Sequence, residues 1–485
     1  MNLEVQSSEN IQTIVSNDKK EKMAQQPLNI DQLYQQQKAF FYAGKTRPIA
    51  TRKAVLKKLK KLVTEQEQRI FDAIAADFSK PEAESFVSET GYIIGEIDQA
   101  LREIDYWVKP ERVESSMLTF PSKSYIYKEP YGITLVIAPW NYPFNLAIAP
   151  LIAAVAAGNT VILKPSELSP NTSALIADLI NSNFEQEYLY AIEGGVEVTQ
   201  KLLAQKNDYI FFTGSPQVGK IVMKAAAEHL TPVTLELGGK SPVIVDETAA
   251  INLAAKRIVF GKCFNAGQTC IAPDYLLVHS SKKQELITAL QKQLDLQYGK
   301  DRKASADFAR IINEKHFNRL IAYLDDGEVV IGGEIDASER YIAPSVIEIK
   351  DLESPIMQEE IFGPILPLVT YNTLDEVVEI IRNREKPLAF YHFTKSTKNR
   401  EYLLKQIQFG GGTINDTIEH FVNPALPFGG IGPSGIGAYH GQFGFETFSH
   451  KKAVLKKSSW IDLPLKYPPY GAKLKWLRRA FKLMG

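Results

Sequence analysis

From about Gly132 onward, short β-rich apolar runs alternate with stretches of helical periodicity. The runs fall at 133–137, 160–163, 188–192, 209–212 and 233–235. A strand that is apolar at nearly every position must be buried on both faces. Such strands alternating with helices imply a parallel sheet covered on both sides. A second α/β region is expected from about Lys240 to Gly410. Ahead of the first sheet, Leu56, Leu59, Leu62 and Val63 fall on one helical face. Thr64 and Glu67 fit a capping box that would start a helix carrying Ile70, Phe71, Ile74 and Phe78. A further helical stretch runs through Ile93, Ile97, Leu101 and Ile104. The Gly-rich stretch at 410–450 suits tight turns and close backbone approach. Residues 1–29, rich in Gln, Asn, Ser and Lys, read as a disordered extension.

Length and composition narrow the classes. At roughly 100–200 residues per domain, 485 residues suggest about three units. Apolar residues at 45% and charged residues at 23% exclude a largely disordered or fibrous chain. Lys+Arg and Asp+Glu both number 56, so no global field favours nucleic acid. Two cysteines, Cys263 and Cys270, make neither a disulfide framework nor a structural zinc site, and no metal is expected. The longest apolar stretch, 146–158, is interrupted by Pro150 and falls short of the roughly 20 residues that span a bilayer. With a polar N-terminus, this reads as a soluble, cytoplasmic protein. The neutral total hides an asymmetry: residues 451–485 hold ten Lys/Arg and one acid, Asp462.

Several runs lead into residues with chemical potential. In "LELGGKSP" (235–242), Glu236 ends a strand, where ligands of parallel sheets bind, and a carboxylate there can activate water. "PWNYP" (139–143) holds Asn141 between two prolines, and a fixed amide suits an oxyanion hole. "FTGSPQVGK" (212–220) sets Gly214 and Gly219 about a strand-to-helix turn whose N–H groups suit a phosphate, although it is neither GxGxxG nor a P-loop. "LKPSE" (163–167) offers Lys164 and Glu167 to ribose hydroxyls. "GQTC" (267–270) offers Cys270, a strong nucleophile once its pKa is lowered. Each also has a bland reading: an inert buried thiol, a solvated strand-end acid, Asn turn chemistry, surface charges.

Taken in order, "PWNYP", "LKPSE", "FTGSPQVG", "LELGGKSP", "GQTC", "EEIFGP" and "PFGGIGPSGIG" closely resemble the NAD(P)-dependent aldehyde dehydrogenase superfamily over about residues 31–450. "GAYHGQFGFETFSH" (437–450) and "YPPY" (467–470) are similar to its class 3 branch of fatty and aromatic aldehyde dehydrogenases. The resemblance implies roles. Cys270 matches the nucleophile, Glu236 the general base, and Asn141 the oxyanion-hole amide, joined there by the Cys270 backbone N–H. Lys164 and Glu167 match adenosine-ribose contacts. Gly214, Ser215 and Gly219 match the dinucleotide turn. Glu360 matches the nicotinamide-ribose contact, with Phe362 packed nearby. The implied reaction forms a thioester on Cys270 and releases the acid by hydrolysis. NAD is the expected cofactor, because Glu167 would repel a 2′-phosphate, with NADP left open. The expected substrate is a medium- or long-chain aliphatic aldehyde, with aromatic and apocarotenoid aldehydes open. Two rival readings are a cofactor-free thiol esterase using Cys270 and Glu236, and a membrane-binding module that has lost activity.

The resemblance further implies an aldehyde dehydrogenase-like α/β fold and a homodimer. Its parts would be a Rossmann-type NAD(P) domain (30–120 and 131–237), an α/β catalytic domain (238–411), and a small β oligomerisation element (121–130 with 412–465). Residues 466–485 form a basic tail. Within it Leu474, Leu477, Phe481 and Met484 recur at helical spacing among Lys473, Lys475, Arg478, Arg479 and Lys482. That is the composition of an interfacial helix giving peripheral contact with anionic membrane through 471–485. A helix packed over the substrate entrance or a partner subunit is the other reading.

Overall fold

The computed structural model describes residues 29–462 and 464–484. Most of the extension read at 1–29 therefore lies outside the described residues. Its last residue, Asn29, caps the first helix, Ile30–Tyr42, by accepting the Gln32 N–H at 3.0 Å.

The five apolar runs are strands of one six-stranded sheet. Its order is Gly435–Ile436, Val233–Glu236, Tyr209–Thr213, Ile133–Ile137, Thr160–Lys164, Leu189–Ala191. All neighbours are parallel except the Gly435–Ile436 edge. The chain winds outward from Ile133–Ile137 in one direction and returns beside it at Tyr209–Thr213. Sheets with such a reversal bind ligands at the carboxyl ends of the strands on either side of it. Alternate residues of the central strand pack to opposite faces. Val136 joins the main core, while Leu135 and Ile137 join a second core with Leu33, Leu202 and Val222.

A seven-stranded sheet follows, in the order Glu328–Ile331, Ser345–Glu348, Ile365–Tyr371, Tyr275–His279, Pro242–Val245, Ala389–Phe393, Gly411–Ile414. It too is parallel apart from its first strand. The link between the sheets is short. The chain leaves the first at Glu236 and enters the second at Pro242. The carboxyl edge of one sheet is thereby joined to the amino edge of the other. In a separate three-stranded sheet, Ser122–Pro130 pairs antiparallel with Ser449–Lys457 along its whole length.

Two local expectations fail. Thr64 does not cap a helix. It lies inside Ile49–Glu65, where its hydroxyl bonds back to the Lys60 carbonyl at 3.0 Å. Helix Glu67–Phe78 starts after Gln66 with no side-chain cap, and Glu67 accepts instead from the Thr90 hydroxyl. A hydroxyl within an established helix has the i−4 carbonyl in reach, which competes with capping. The run at 146–158 is not divided at Pro150 either: one buried helix, Asn145–Ala157, passes through it. A proline there removes a single intrahelical bond, and packing on every side holds the helix.

Candidate active site

Strand register brings the predicted residues of the first sheet to one edge. Ile137 lies opposite Lys164 and Phe212, and Thr213 opposite Glu236. The turn with Asn141, the Lys164–Glu167 segment, Gly214 and Glu236 therefore share the carboxyl edge. At the second sheet's amino edge Pro242 pairs with Tyr275, which puts the 268–274 loop next to Ser241. The Asp274 N–H bonds the Ser241 carbonyl at 2.9 Å. Cys270 enters the site on that loop.

Cys270 is partly buried and unpaired, whereas Cys263 is fully buried. Burial raises the Cys270 thiol pKa, and the carboxyls of Glu360 and Glu236 push it the same way. The backbone N–H groups of Cys270 and Ile271 oppose them. Glu236 is 3% exposed, and neither carboxylate oxygen has a hydrogen-bond partner among the described residues. Burial alone holds its pKa well above the usual carboxylate range. A buried acid with two unbonded oxygens is rare in a folded protein and marks a place where chemistry or a ligand supplies the partner.

Asn141 is buried and donates to the Gln268 carbonyl at 3.0 Å. That bond uses one of the two hydrogens of its amide. The neighbouring Tyr142 hydroxyl meets Thr269 Oγ1 at 2.6 Å. Asn265 Nδ2 closes the group, donating to the carbonyls of Asn141 at 2.8 Å and Gln268 at 3.1 Å. Asn265 and Ala266 both adopt left-handed backbone, at φ 54° and 51°. For Ala266 that conformation costs about 1–2 kcal/mol. Strained turns of this kind cluster at functional sites, and here the turn aims the four residues ending in Cys270. The Asn-Ala-Gly sequence before "QTC" carries a hint of it, because Asn tolerates left-handed backbone.

The turn at Gly214 and Ser215 is built as a helix start. Ser215 caps helix Pro216–Ala227, its hydroxyl accepting the Val218 N–H at 3.4 Å. A Cβ at Gly219 would stand 2.8 Å from a Leu237 methyl, so the glycine lets helix and strand close up. Beside this turn the Thr213 hydroxyl is buried and unpartnered. An N–H-bearing helix terminus with an idle hydroxyl suits a pyrophosphate. Lys164 is buried and its ammonium pairs with the more exposed carboxylate of Glu167. Glu360 lies over the strand-end glycines: a Cβ at Gly238 would fall 1.9 Å from its Oε2. Burial, reinforced by Asp274, pushes Glu360 up to about 8, although the Gly239 N–H opposes it. Phe362, at φ 52°, meets Trp140 edge-on at 5.3 Å.

Some contributors escape sequence reading. Lys240 pairs with Asp274 and donates to the carbonyls of Ile356 and Glu359, each at 2.8 Å. Asp274 in turn accepts the Ile361 N–H at 2.8 Å. Together they hold the segment that carries Glu360. The lysine of "GGKSP" and the acid of "APD" are the only traces of this arrangement in the sequence.

A profile described as "Aldehyde dehydrogenase family" matches residues 8–454. The 4,4'-diaponeurosporen-aldehyde dehydrogenase of Staphylococcus aureus is 50% identical over 455 residues, 93% of this chain and 99% of that one. The "Aldehyde dehydrogenase, dimeric NADP-preferring" of Rattus norvegicus is 46% identical, over 90% of this chain and 96% of its own. A solved structure described as "Substrate bound state of Staphylococcus Aureus AldH" superposes with a TM-score of 0.92 at 49% identity, covering 94% of this chain and all of that one. Neither the cofactor-free esterase nor the inactive membrane module accounts for likeness of this extent. The chain belongs to the aldehyde dehydrogenase family, oxidoreductases that oxidise aldehydes with NAD or NADP.

Proposed function

We propose that Cys270, Asn141 and Glu236 perform the oxidation in turn, on a long apolar aldehyde. The observation that carries this is Glu236: a buried carboxylate with no partner among the described residues, close enough to a partly exposed thiol to raise its pKa. The Cys270 thiol gives its proton to solvent, and the thiolate sulfur attacks the carbonyl carbon. The oxygen becomes an alkoxide and takes hydrogen bonds from the Asn141 amide and the Cys270 N–H. Losing one such donor typically costs about 10²–10³ in rate. Bound NAD(P)⁺ supplies the hydride acceptor and a positive charge that favours the thiolate. As the alkoxide collapses, the C–H bond breaks with its electron pair leaving as hydride, and the acyl group stays on sulfur as a thioester. Glu236 then takes a proton from the water that attacks it, and the acid departs as the thiol reforms.

Lys164, Glu167, Gly214, Ser215, Gly219, Glu360 and Phe362 are the proposed cofactor contacts. The Lys164–Glu167 ion pair bears on cofactor choice, because the ammonium offsets the charge that would repel a 2′-phosphate. We expect both dinucleotides to be used, with NAD favoured. Glu167→Gln should lower the KM for NADP roughly 5-fold, about 1 kcal/mol for a partly exposed charge, while the KM for NAD stays within about 2-fold. Equal changes for both cofactors would remove Glu167 from the ribose site.

Aromatic side chains point to the substrate class. Tyr391 and Tyr439 lie within electrostatic reach of Cys270. Around them Tyr92 stacks on Phe421 at 4.8 Å, while His440 packs against Phe421 at 4.6 Å and Phe428 at 5.1 Å. Burial pushes His440 down to about 3, so its ring is neutral and acts as another aromatic face. Stacked faces suit an extended apolar chain, a conjugated one best. The test is NAD(P)H formation over a series of saturated aldehydes, with an aromatic and a polyene aldehyde alongside. kcat/KM should climb with chain length and the polyene should match or exceed the longest saturated chain. A flat profile removes the proposal.

The chain parts carry further proposals. The three-stranded sheet ends in Ser449–Lys457, a nine-residue edge strand, and an open edge of that length is a template for a second copy. A dimer is the proposed assembly; a light-scattering mass of one chain overturns it. No helix among the described residues is long and apolar enough to cross a membrane. The tail helix Lys473–Met484 leaves Leu474, Trp476 and Phe481 exposed between its cations, and Trp460, earlier in the chain, is 95% exposed. Peripheral binding to anionic lipid is the proposed role of residues 471–485. Deleting them should shift the protein from pellet to supernatant in sedimentation with anionic vesicles. Unchanged partitioning would count against it.

A further inference from the structure

A buried ion pair far upstream in the sequence reaches the active site from behind. Lys80 and Glu89 are fully buried, with Nζ donating to Oε1 at 3.0 Å. The other oxygen of Glu89 accepts the N–H groups of Phe144 at 3.1 Å and Asn145 at 2.7 Å. These residues directly follow the turn that carries Asn141. The Lys80 ammonium sits 4.1 Å from the Tyr142 ring centroid, and Tyr142 reaches Thr269 beside Cys270. From the same segment Glu84 accepts the N–H of Asn265, at the strained start of the nucleophile loop. The segment includes a π-helical turn, Phe86–Thr90, a form found frequently at functional sites. Stability alone is a poor reason for such a pair, since apolar side chains of similar volume often serve as well. Directed bonds to backbone on both sides fix geometry instead.

We propose that Glu89, with Lys80, is a positioning residue for the oxyanion site: Glu89 holds the backbone just after the Asn141 turn, and Lys80 packs on Tyr142, which meets Thr269 of the Cys270 loop. This rests on the roles given above to Asn141 and Cys270. Small displacements of a reacting geometry cost up to about 10²-fold in rate. Glu89→Gln should therefore lower kcat about 10–100-fold, while the aldehyde KM and the Kd for NADH stay within about 3-fold. Coupling through Asn141 makes a second requirement. In an Asn141→Ala background, where the amide is already gone, Glu89→Gln should lower kcat by less than about 3-fold.

Kinetics and NADH fluorescence titration of Glu89→Gln, Asn141→Ala and their combination test this. Unaltered kcat in Glu89→Gln overturns the proposal. So does an equal fractional loss in both backgrounds, or a kcat loss matched by lost NADH binding. If Asn141→Ala itself keeps full kcat, the oxyanion assignment is what fails. The single variant leaves a lysine buried without its anion and is at risk of misfolding. Lys80→Met/Glu89→Gln removes both charges and carries the same comparison.

Discussion

Cys270→Ala will reduce aldehyde-dependent NAD(P)H formation by at least about 10⁴-fold, because no other group offered to the site can form the covalent intermediate. Cys263, the other thiol, is fully buried and pushed up to about 12 by that burial, so it cannot substitute. Dinucleotide binding should be unchanged within about 2-fold, since the proposed contacts at Lys164, Gly214, Ser215 and Glu360 stay in place. Folding should change little, because one sulfur at a partly exposed position is lost. Fluorescence titration with NADH separates the two effects. A Cys270→Ala protein that retains a tenth of its turnover would remove the thioester route. Cys270→Ser should behave nearly as alanine does, for a hydroxyl is a far weaker nucleophile at neutral pH.

The second large effect belongs to Glu236→Gln. Steady-state turnover should fall about 10²–10³-fold, the usual contribution of a general base. Hydride transfer should survive, so mixing with aldehyde should give a burst of one NAD(P)H per active site before the slow phase. The pH profile follows from burial, which raises the Glu236 pKa. Wild-type turnover should rise with pH as the carboxyl ionises, and the variant should lose that rise. Stability moves the other way. A carboxyl whose folded pKa is raised binds more protons folded than unfolded, so it lowers stability increasingly as pH climbs from the unfolded pKa toward the folded one. Glu236→Gln should therefore raise Tm, and raise it more at pH 8 than at pH 5. Turnover lost with no burst would assign Glu236 to an earlier step.

These effects concern residues that can be read from the sequence, and the reason is positional. Glu236 ends an apolar strand, Asn141 and Gly214 follow others, and the parallel sheet itself gathers strand ends at one edge. The five runs are visible because burial on both faces removes polar alternation. Harder to see are contacts that join distant segments. Glu89 meets Asn145 and Glu84 meets Asn265 only once the helices have packed, and no local pattern announces either. The same holds for Lys240 and Asp274, which seat Glu360 from the loops that lead into two other strands. Thr64 and Glu67 show the converse error. They carry the right letters for a cap, yet the helix starts two residues later than that cap would set, because Thr64 already belongs to the preceding one.

The most direct test is a mass measurement of Glu236→Gln, quenched with acid a few seconds after mixing with NAD⁺ and a long-chain aldehyde. The whole chain should gain the mass of the acyl group, and the peptide bearing the adduct should contain Cys270. An unmodified chain despite NADH release, or an adduct on the Cys263 side of the loop, would contradict the assignment of Cys270 as the sulfur that carries the acyl group.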